Sequence, residues 1–395
     1  MRPGLIIQHG SLPVRGGGLV RCDIGALIGF VTHERWPAEA TAGDFLLLKL
    51  RRWEELAEHS QRDIVDPRVR RAVRAFFENG GDELYVYAVC VRSEDELVGS
   101  GLGESVLGPL LESLRGEEDI SLIGVPSLAY MRCDVSRKGE VRWHGESLVE
   151  EFLAHCRQMN NRFMVIDAPR GLHGDLLTRW FEGFRRRDPI TRAFGAVYYP
   201  WLMRGDEAFP AAGAIMGLFA RVELEHRPIG VGWPPANVPV LGATHTEVEM
   251  DWSEAGSVGD AGINPLIVQP GRGVVVWGAR TMSTDPKWVH INSRRIVSMI
   301  TEQLRRDNEW AVFEPNDPGL WKVIERDVLV RLEQFWAAGI LSGARAQGEY
   351  SVECSRATNP PDVRDRGELH VSVQVTPVGT TERILVDLRL GSTGP

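Results

Sequence analysis

Between residues 120 and 223 three short apolar runs alternate with three helix-length segments, and this alternation constrains the fold more than any other feature of the chain. The runs cover residues 120–125, 162–167 and 193–199, and helical spacing predicts helices over about 147–159, 174–187 and 211–223. Strands joined by helices run parallel, because a parallel return needs a long crossover, and the crossover helices cover the faces of the sheet. Residues upstream follow the same logic. Residues 19–31 read as strand after the flexible Gly16-Gly17-Gly18. Val69, Val73, Phe76 and Phe77 place a helix over 67–78, which Asn79-Gly80-Gly81 stops in the left-handed conformation; Leu84-Tyr85-Val86-Tyr87-Ala88-Val89 is then a strand. The reading is an α/β unit over residues 23–265.

Residues 226–265 are rich in proline, glycine and single charges and read as a long irregular connection. A second, α+β unit is expected over residues 266–382. It has a strand over 274–277, a helix over about 288–306, the strand Trp310-Ala311-Val312-Phe313 and a helix over about 317–338. Asn316-Asp317-Pro318 supplies a capping acceptor before a proline, and Leu320, Ile324, Val328, Leu332, Phe335 and Trp336 form that helix's core face. Residues 369–375 and 384–390 alternate apolar and polar side chains, the period of a half-buried strand. The last of these stands close to the end of the sequence, as Leu5-Ile6-Ile7 does at its start. Residues 1–22 and 383–395 therefore read as terminal strand arms.

Composition narrows the function classes. The sequence has 395 residues and a net charge of −9, so no general basic surface invites nucleic acid. The run Arg185-Arg186-Arg187 reads as a solvated helix end. No apolar run reaches the ~18 residues of a membrane span, and the first ten residues lack the apolar stretch of a signal peptide, so folding in the cytoplasm without membrane insertion is expected. Five cysteines, Cys22, Cys90, Cys133, Cys156 and Cys354, are scattered without a Cys-x-x-Cys pair and read as reduced thiols.

A strand–helix alternation also suits an enzyme, so the alternative reading is a soluble α/β enzyme or nucleotide-binding module. Its motifs are missing from the sequence. There is no Gly-x-x-x-x-Gly-Lys-Ser/Thr phosphate loop and no Gly-x-Ser-x-Gly elbow. Gly99-Ser100-Gly101-Leu102-Gly103 lacks dinucleotide spacing and reads as a surface loop. Asp167, at a strand end before Pro169, reads as a turn or cap residue. His245, Glu247, Glu249 and Asp251 could line a metal-binding edge, but a solvated strand with alternating charges is the better reading. No catalytic, cofactor or metal residue is assigned. Twelve tryptophans suit large interfaces as well as cores.

Longer motifs are more specific. Gly262-Ile263-Asn264-Pro265-Leu266 precedes a stretch running from Pro270-Gly271-Arg272-Gly273 through Val276-Trp277-Gly278-Ala279-Arg280-Thr281-Met282-Ser283. Asp285-Pro286-Lys287-Trp288-Val289-His290-Ile291-Asn292 and Trp310-Ala311-Val312-Phe313-Glu314-Pro315-Asn316-Asp317 follow. These resemble the C-terminal domain of contractile tail sheath proteins, a family spanning phage tails, R-type pyocins, type-VI-like systems and extracellular contractile injection systems. Upstream, Phe76-Phe77-Glu78-Asn79-Gly80-Gly81, Ala196-Val197-Tyr198-Tyr199-Pro200-Trp201-Leu202, Ala212–Arg221 and Pro234-Pro235-Ala236-Asn237 are similar to further family segments in the same order. Pro3-Gly4-Leu5-Ile6-Ile7-Gln8 departs from the family's longer acidic arm, and residues 243–262 are more acidic than its pattern. These departures leave open a minor sheath paralogue.

The resemblance implies a multidomain tail-sheath fold with an outer α/β domain, an inner α+β domain facing a tube, and arms exchanged between subunits. It implies a structural protein that is not an enzyme and has no cofactor. Its partners would be further copies in a helical polymer of stacked six-fold rings, the inner tube protein, baseplate and terminator proteins, and any sheath paralogues. Assembly would occur in the bacterial cytoplasm, within a phage tail or a tail-like particle open to extracellular release. The arm residues implied are Leu5, Ile6, Ile7, Ile384, Leu385, Val386, Leu388 and Leu390. Candidate tube contacts are Arg294, Arg295, Arg305 and Arg306 on one helix and Lys322, Arg326 and Arg331 on the next.

Overall fold

A computed structural model of the protein describes residues 18–93, 104–227, 230–342, 350–378 and 384–390. Eight strands share one sheet: β1 (Gly25–Thr32), β2 (Phe45–Leu50), β3 (Leu84–Val91), β4 (Leu122–Gly124), β5 (Phe163–Asp167), β6 (Gly195–Tyr199), β7 (Asn264–Gln269) and β8 (Gly273–Val276). Their spatial order is β8-β7-β6-β5-β4-β1-β3-β2. Every pairing from β7 through to β3 is parallel, as the alternation predicts, and antiparallel strands β2 and β8 close the two edges. All eight residues of β3 are buried, because a strand inside a parallel sheet is covered on both faces.

The covering helices are α1 (Pro67–Glu78), α2 (Glu104–Gly116), α3 (Glu146–Met159), α4 (Gly174–Arg185) and α5 (Ala212–Glu225). Leu27, Val86 and Val165 point to one face, where they meet Val69, Val73 and Phe76 of α1 and Ile215 and Phe219 of α5. Ile28, Tyr87 and Ile166, one residue along each strand, point to the other face, against Leu110, Phe152, Trp180 and Phe181 of α2, α3 and α4. Helices α1 and α5 meet through Gly213 and Gly217. A Cβ at either position would collide with the α1 backbone at Ala72 or Phe76.

Asp167 closes β5 and is buried. Its carboxylate accepts a hydrogen bond from the Ala212 amide at 2.9 Å, at the start of α5, so it is a cap, as its position before Pro169 suggests. Burial pushes its pKa up to about 7 against the bonds from the helix amides.

The connection over 226–265 is more ordered than its composition predicts. It contains the two-residue strand His245–Thr246 and a helix, α6 (Trp252–Ala261), before entering β7. Asp251 caps α6 in a capping box with Glu254, and Gly262 ends it at φ 102°. Asp251-x-x-Glu254 was a readable helix signal, masked by the glycines within the helix.

The chain divides into two units at Met299/Ile300, within α7 (Ile291–Asp307). The expected division near Pro265 falls elsewhere because β7 lies beside β6 in the large sheet, Asn264 opposite Tyr198 and Pro265 opposite Tyr199. In the smaller unit, α8 (Pro318–Ala337) is capped by Asp317, whose Oδ1 accepts from the Gly319 and Leu320 amides at 2.7 and 3.0 Å. Its face Leu320, Ile324, Val328, Leu332 and Phe335 is buried, while Trp336 is half-buried. An antiparallel sheet of β9 (Tyr350–Glu353), β10 (Leu369–Val375) and β11 (Ile384–Leu390) completes the unit, in that order.

One predicted strand is absent. Trp310–Phe313 belongs to a 3-10 helical turn, Glu309–Phe313, closed by bonds from the Ala311 amide to Asn308 O and from the Glu314 amide to Ala311 O. Four apolar residues carry too little periodicity to separate the two states. Only Ala311 is buried, and the Phe313 side chain is 92% exposed.

Candidate functional site

The resemblance places the expected function on surfaces that meet other chains, so the candidate site is the set of side chains free to do so. The predicted tube contacts separate sharply on this criterion. Arg294 is buried, its guanidinium stacked 4.3 Å from the Trp288 ring centre and 4.5 Å from that of Phe194. Burial lowers its pKa to about 9. Arg295 is also buried. Its Nη2 donates to Glu223 Oε2 at 3.0 Å and to Cys22 O at 2.7 Å, while the Cys22 amide donates to Glu223 Oε1 at 2.9 Å. This knot ties the segment entering β1 to α5. Neither arginine can reach a tube, because the helix face that carries them packs into the larger unit.

Arg331 is also internal: it donates twice to Asp307, at 2.5 and 3.0 Å, and both side chains are buried. Arg305 and Arg306 are half-exposed and converge on Glu302, with Arg305 also reaching Glu309 at 2.6 Å. Lys322 and Arg326 are exposed on α8, Arg326 bonded to neighbouring Asp327 at 2.8 Å. Of the seven cations predicted, the structure leaves these two most accessible.

Leu5, Ile6 and Ile7 lie outside the described residues. Strand β11 pairs with β10 from Ile384↔Val375 to Leu390↔Leu369. Ile384, Val386, Leu388 and Leu390 face the core of the smaller unit, and Leu385 is 58% exposed. Within the single chain the strand is thus satisfied on one side by its own sheet. Its second edge has no strand beside it among the described residues.

His245 pairs with Met203 in a short strand, and Glu247 bonds Arg170 at 2.8 Å. Among the described residues no group of three or more His, Cys, Asp or Glu side chains is arranged to hold a metal ion, and no helix is long and apolar enough to cross a membrane.

Sequence reasoning missed a cavity of about 370 Å³ in the larger unit, lined by Trp53, Phe209, Arg70, Arg71, Arg74 and Arg204. The sequence signal was the repeated arginine on the outer face of α1, opposite the buried Val69, Ala72 and Val73.

Comparison with known proteins agrees with this architecture. A family model described as the phage tail sheath protein central domain matches residues 187–282, and one described as the phage tail sheath C-terminal domain matches residues 283–391. Together they span more than half of the chain. The chain shares its fold with the contracted helical sheath of the anti-feeding prophage, with a TM-score of 0.69 and 22% identity, covering 97% of this chain and 98% of that one. It is equally similar to the contracted sheath complex of an extracellular contractile injection system, PVC, at TM-score 0.69 and 21% identity over 98% and 96% of the two chains. A putative prophage major tail sheath protein of Pseudomonas aeruginosa (strain UCBPP-PA14) is 25% identical over 179 residues, 44% of each chain. The chain thus matches less than half the length of that curated relative. The protein belongs to the contractile tail sheath family.

Proposed function

We propose that this chain is a structural subunit of a contractile sheath. It polymerises helically around an inner tube, docks on a baseplate and contracts to drive the tube through a target envelope. The observation that carries this reading is the pair of adjoining sheath-domain matches over residues 187–391, together with a fold common to contracted sheaths across almost the whole chain. The work of contraction comes from exchanging one set of subunit contacts for another, so the subunit needs no catalytic centre of its own. The tube contact falls to the smaller unit, with Lys322 and Arg326 as the groups that meet the tube. The half-open edge of β11 supports strand exchange, since an unpaired edge is a template for an arm from a neighbour. Assembly takes place in the bacterial cytoplasm.

Co-expression with the tube and baseplate proteins of the same particle, followed by negative-stain microscopy, tests the reading. Hollow polymers of two lengths, extended and contracted, are expected. Uniform small particles, with saturable micromolar binding of ATP or GTP in calorimetry, would instead support the enzyme alternative.

A further inference from the structure

The cavity on α1 and the acidic helix α6 are two unexplained surfaces with complementary chemistry. The cavity is walled by Trp53 and Phe209 and ringed by Arg70, Arg71, Arg74 and Arg204, with Glu207 the one carboxylate among the described residues lining it. These guanidinium groups keep between 29% and 51% of their side-chain surface exposed. Arg70 pairs with Asp63, Arg71 with Glu207, and Arg74 and Arg204 both with Glu78, so four guanidinium groups share three carboxylates and the cluster stays net positive. Partly exposed pairs of this kind are individually weak and exchange partners at little cost. The cluster stands out in a protein whose net charge is −9.

The second surface has the opposite sign. Glu249, Asp251, Glu254 and Asp260 are all exposed on and before α6. Among them stands Trp252, 62% exposed and packed edge-on against the 42% exposed Trp277 at 5.1 Å between ring centres. A large aromatic side chain left this open, ringed by charge, has the character of an interface anchor.

The two surfaces lie on opposite faces of the large sheet. α1 packs into the core cluster that contains Phe76, Phe209 and Ile215. Val258 of α6 and Met250 before it pack against the cluster of the other face, beside α4. One chain therefore cannot close them on each other, but two copies can.

We infer that the arginine-lined cavity of one copy receives Trp252 of the next copy, with the carboxylates of Glu249, Asp251 and Glu254 meeting the ring of guanidinium groups. This rests on the self-assembly proposed above and names the surfaces that make it. The indole enters between Trp53 and Phe209, where the arginines stack on its face as cations on a π system. The contact is heterologous, one patch meeting a different patch, and such contacts propagate as open helices when the rotation does not close. The acidic character of residues 243–262, a departure from the family pattern, thereby acquires a purpose.

Disulfide trapping tests this in the full chain. Ser253→Cys with Arg74→Cys in one polypeptide, which leaves the Trp252 indole in place, should give, on mild oxidation of assembled particles, a ladder of covalent oligomers on a non-reducing gel. Each single variant should give none. The native thiols interfere little, since Cys22, Cys90, Cys156 and Cys354 are buried and Cys133 is half-buried. A charge exchange provides the second measurement. Arg70→Glu with Arg74→Glu should weaken self-association by about tenfold or more in sedimentation. Adding Glu249→Arg, at a position outside the capping box of α6, should restore part of it. Polymers that form normally yet show neither ladder nor charge-exchange effect would overturn this inference and leave the sheath reading standing. A wild-type chain that forms no polymer with its tube and baseplate would overturn both.

Discussion

Two adjacent arginine pairs lie in helical segments of the larger unit, Arg70-Arg71 on α1 and Arg294-Arg295 in the first turns of α7, and the structure uses them in opposite ways. On α1 the pair lies opposite Val69, Ala72 and Val73, so the guanidinium groups line an open cavity. On α7 both arginines are buried: one is sandwiched by Trp288 and Phe194, the other locked to Glu223 and the Cys22 carbonyl. The same dipeptide is a recognition surface in one place and a structural tie in the other. The difference lies in what the rest of the chain brings to it. A buried guanidinium needs an aromatic face or an acceptor, and α7 has both within the core, whereas on α1 the pairs to Asp63 and Glu207 stay partly exposed to solvent.

The largest expected effect breaks the buried member. Arg295→Ala leaves Glu223 buried without its counter-charge and removes the donor to the Cys22 carbonyl. Loss of a partner from a buried pair costs about 3–5 kcal/mol, so this variant should unfold at much lower urea concentration. A midpoint within error of wild type would show that the knot contributes nothing.

A second test uses Asp167, a buried carboxyl group held by backbone hydrogen bonds with no cation beside it among the described residues. Its folded pKa of about 7 stands above the ordinary 3.8, so the folded state binds the proton more tightly than the unfolded chain does. The stability it contributes is present below about pH 3.8 and is lost as pH rises through about 7. Asp167→Asn keeps an acceptor for the Ala212 amide and cannot ionise. The variant should therefore gain on wild type between pH 4.5 and 7.5 by an amount on the order of a few kcal/mol, read from urea curves at the two pH values. A difference independent of pH would mean that Asp167 ionises freely in the fold.

The smallest effect is expected at the exposed member. Arg74→Ala removes a half-exposed side chain whose pair with Glu78 is worth about 0–1 kcal/mol, so the monomer's stability should barely move while self-association weakens. A loss of stability comparable to that of Arg295→Ala would remove the distinction between the two helices.

Much of this architecture was legible without coordinates. The period of the apolar residues placed β3, β5, β6, α1, α5, α8, β10 and β11 within a few residues, and their alternation implied a parallel sheet. Asp317 before Pro318 announced the start of α8, and the motif order announced the family. These signals are local: they depend on side-chain spacing along a helix or strand, which any sequence displays. Three things depended on contacts between distant segments. Trp310–Phe313 was too short for its period to distinguish a strand from a helical turn. β7 joins the large sheet because its register with β6 is set across a gap of more than sixty residues. Arg294, Arg295 and Arg331 read as surface cations because the helical pattern does not show the groups that bury them. Arg295 finds Glu223 72 residues away and Arg331 finds Asp307 24 residues away. Whether an arginine is a contact or a tie is decided by whether folding buries it against an acceptor or an aromatic face, and helical periodicity carries no information about that partner.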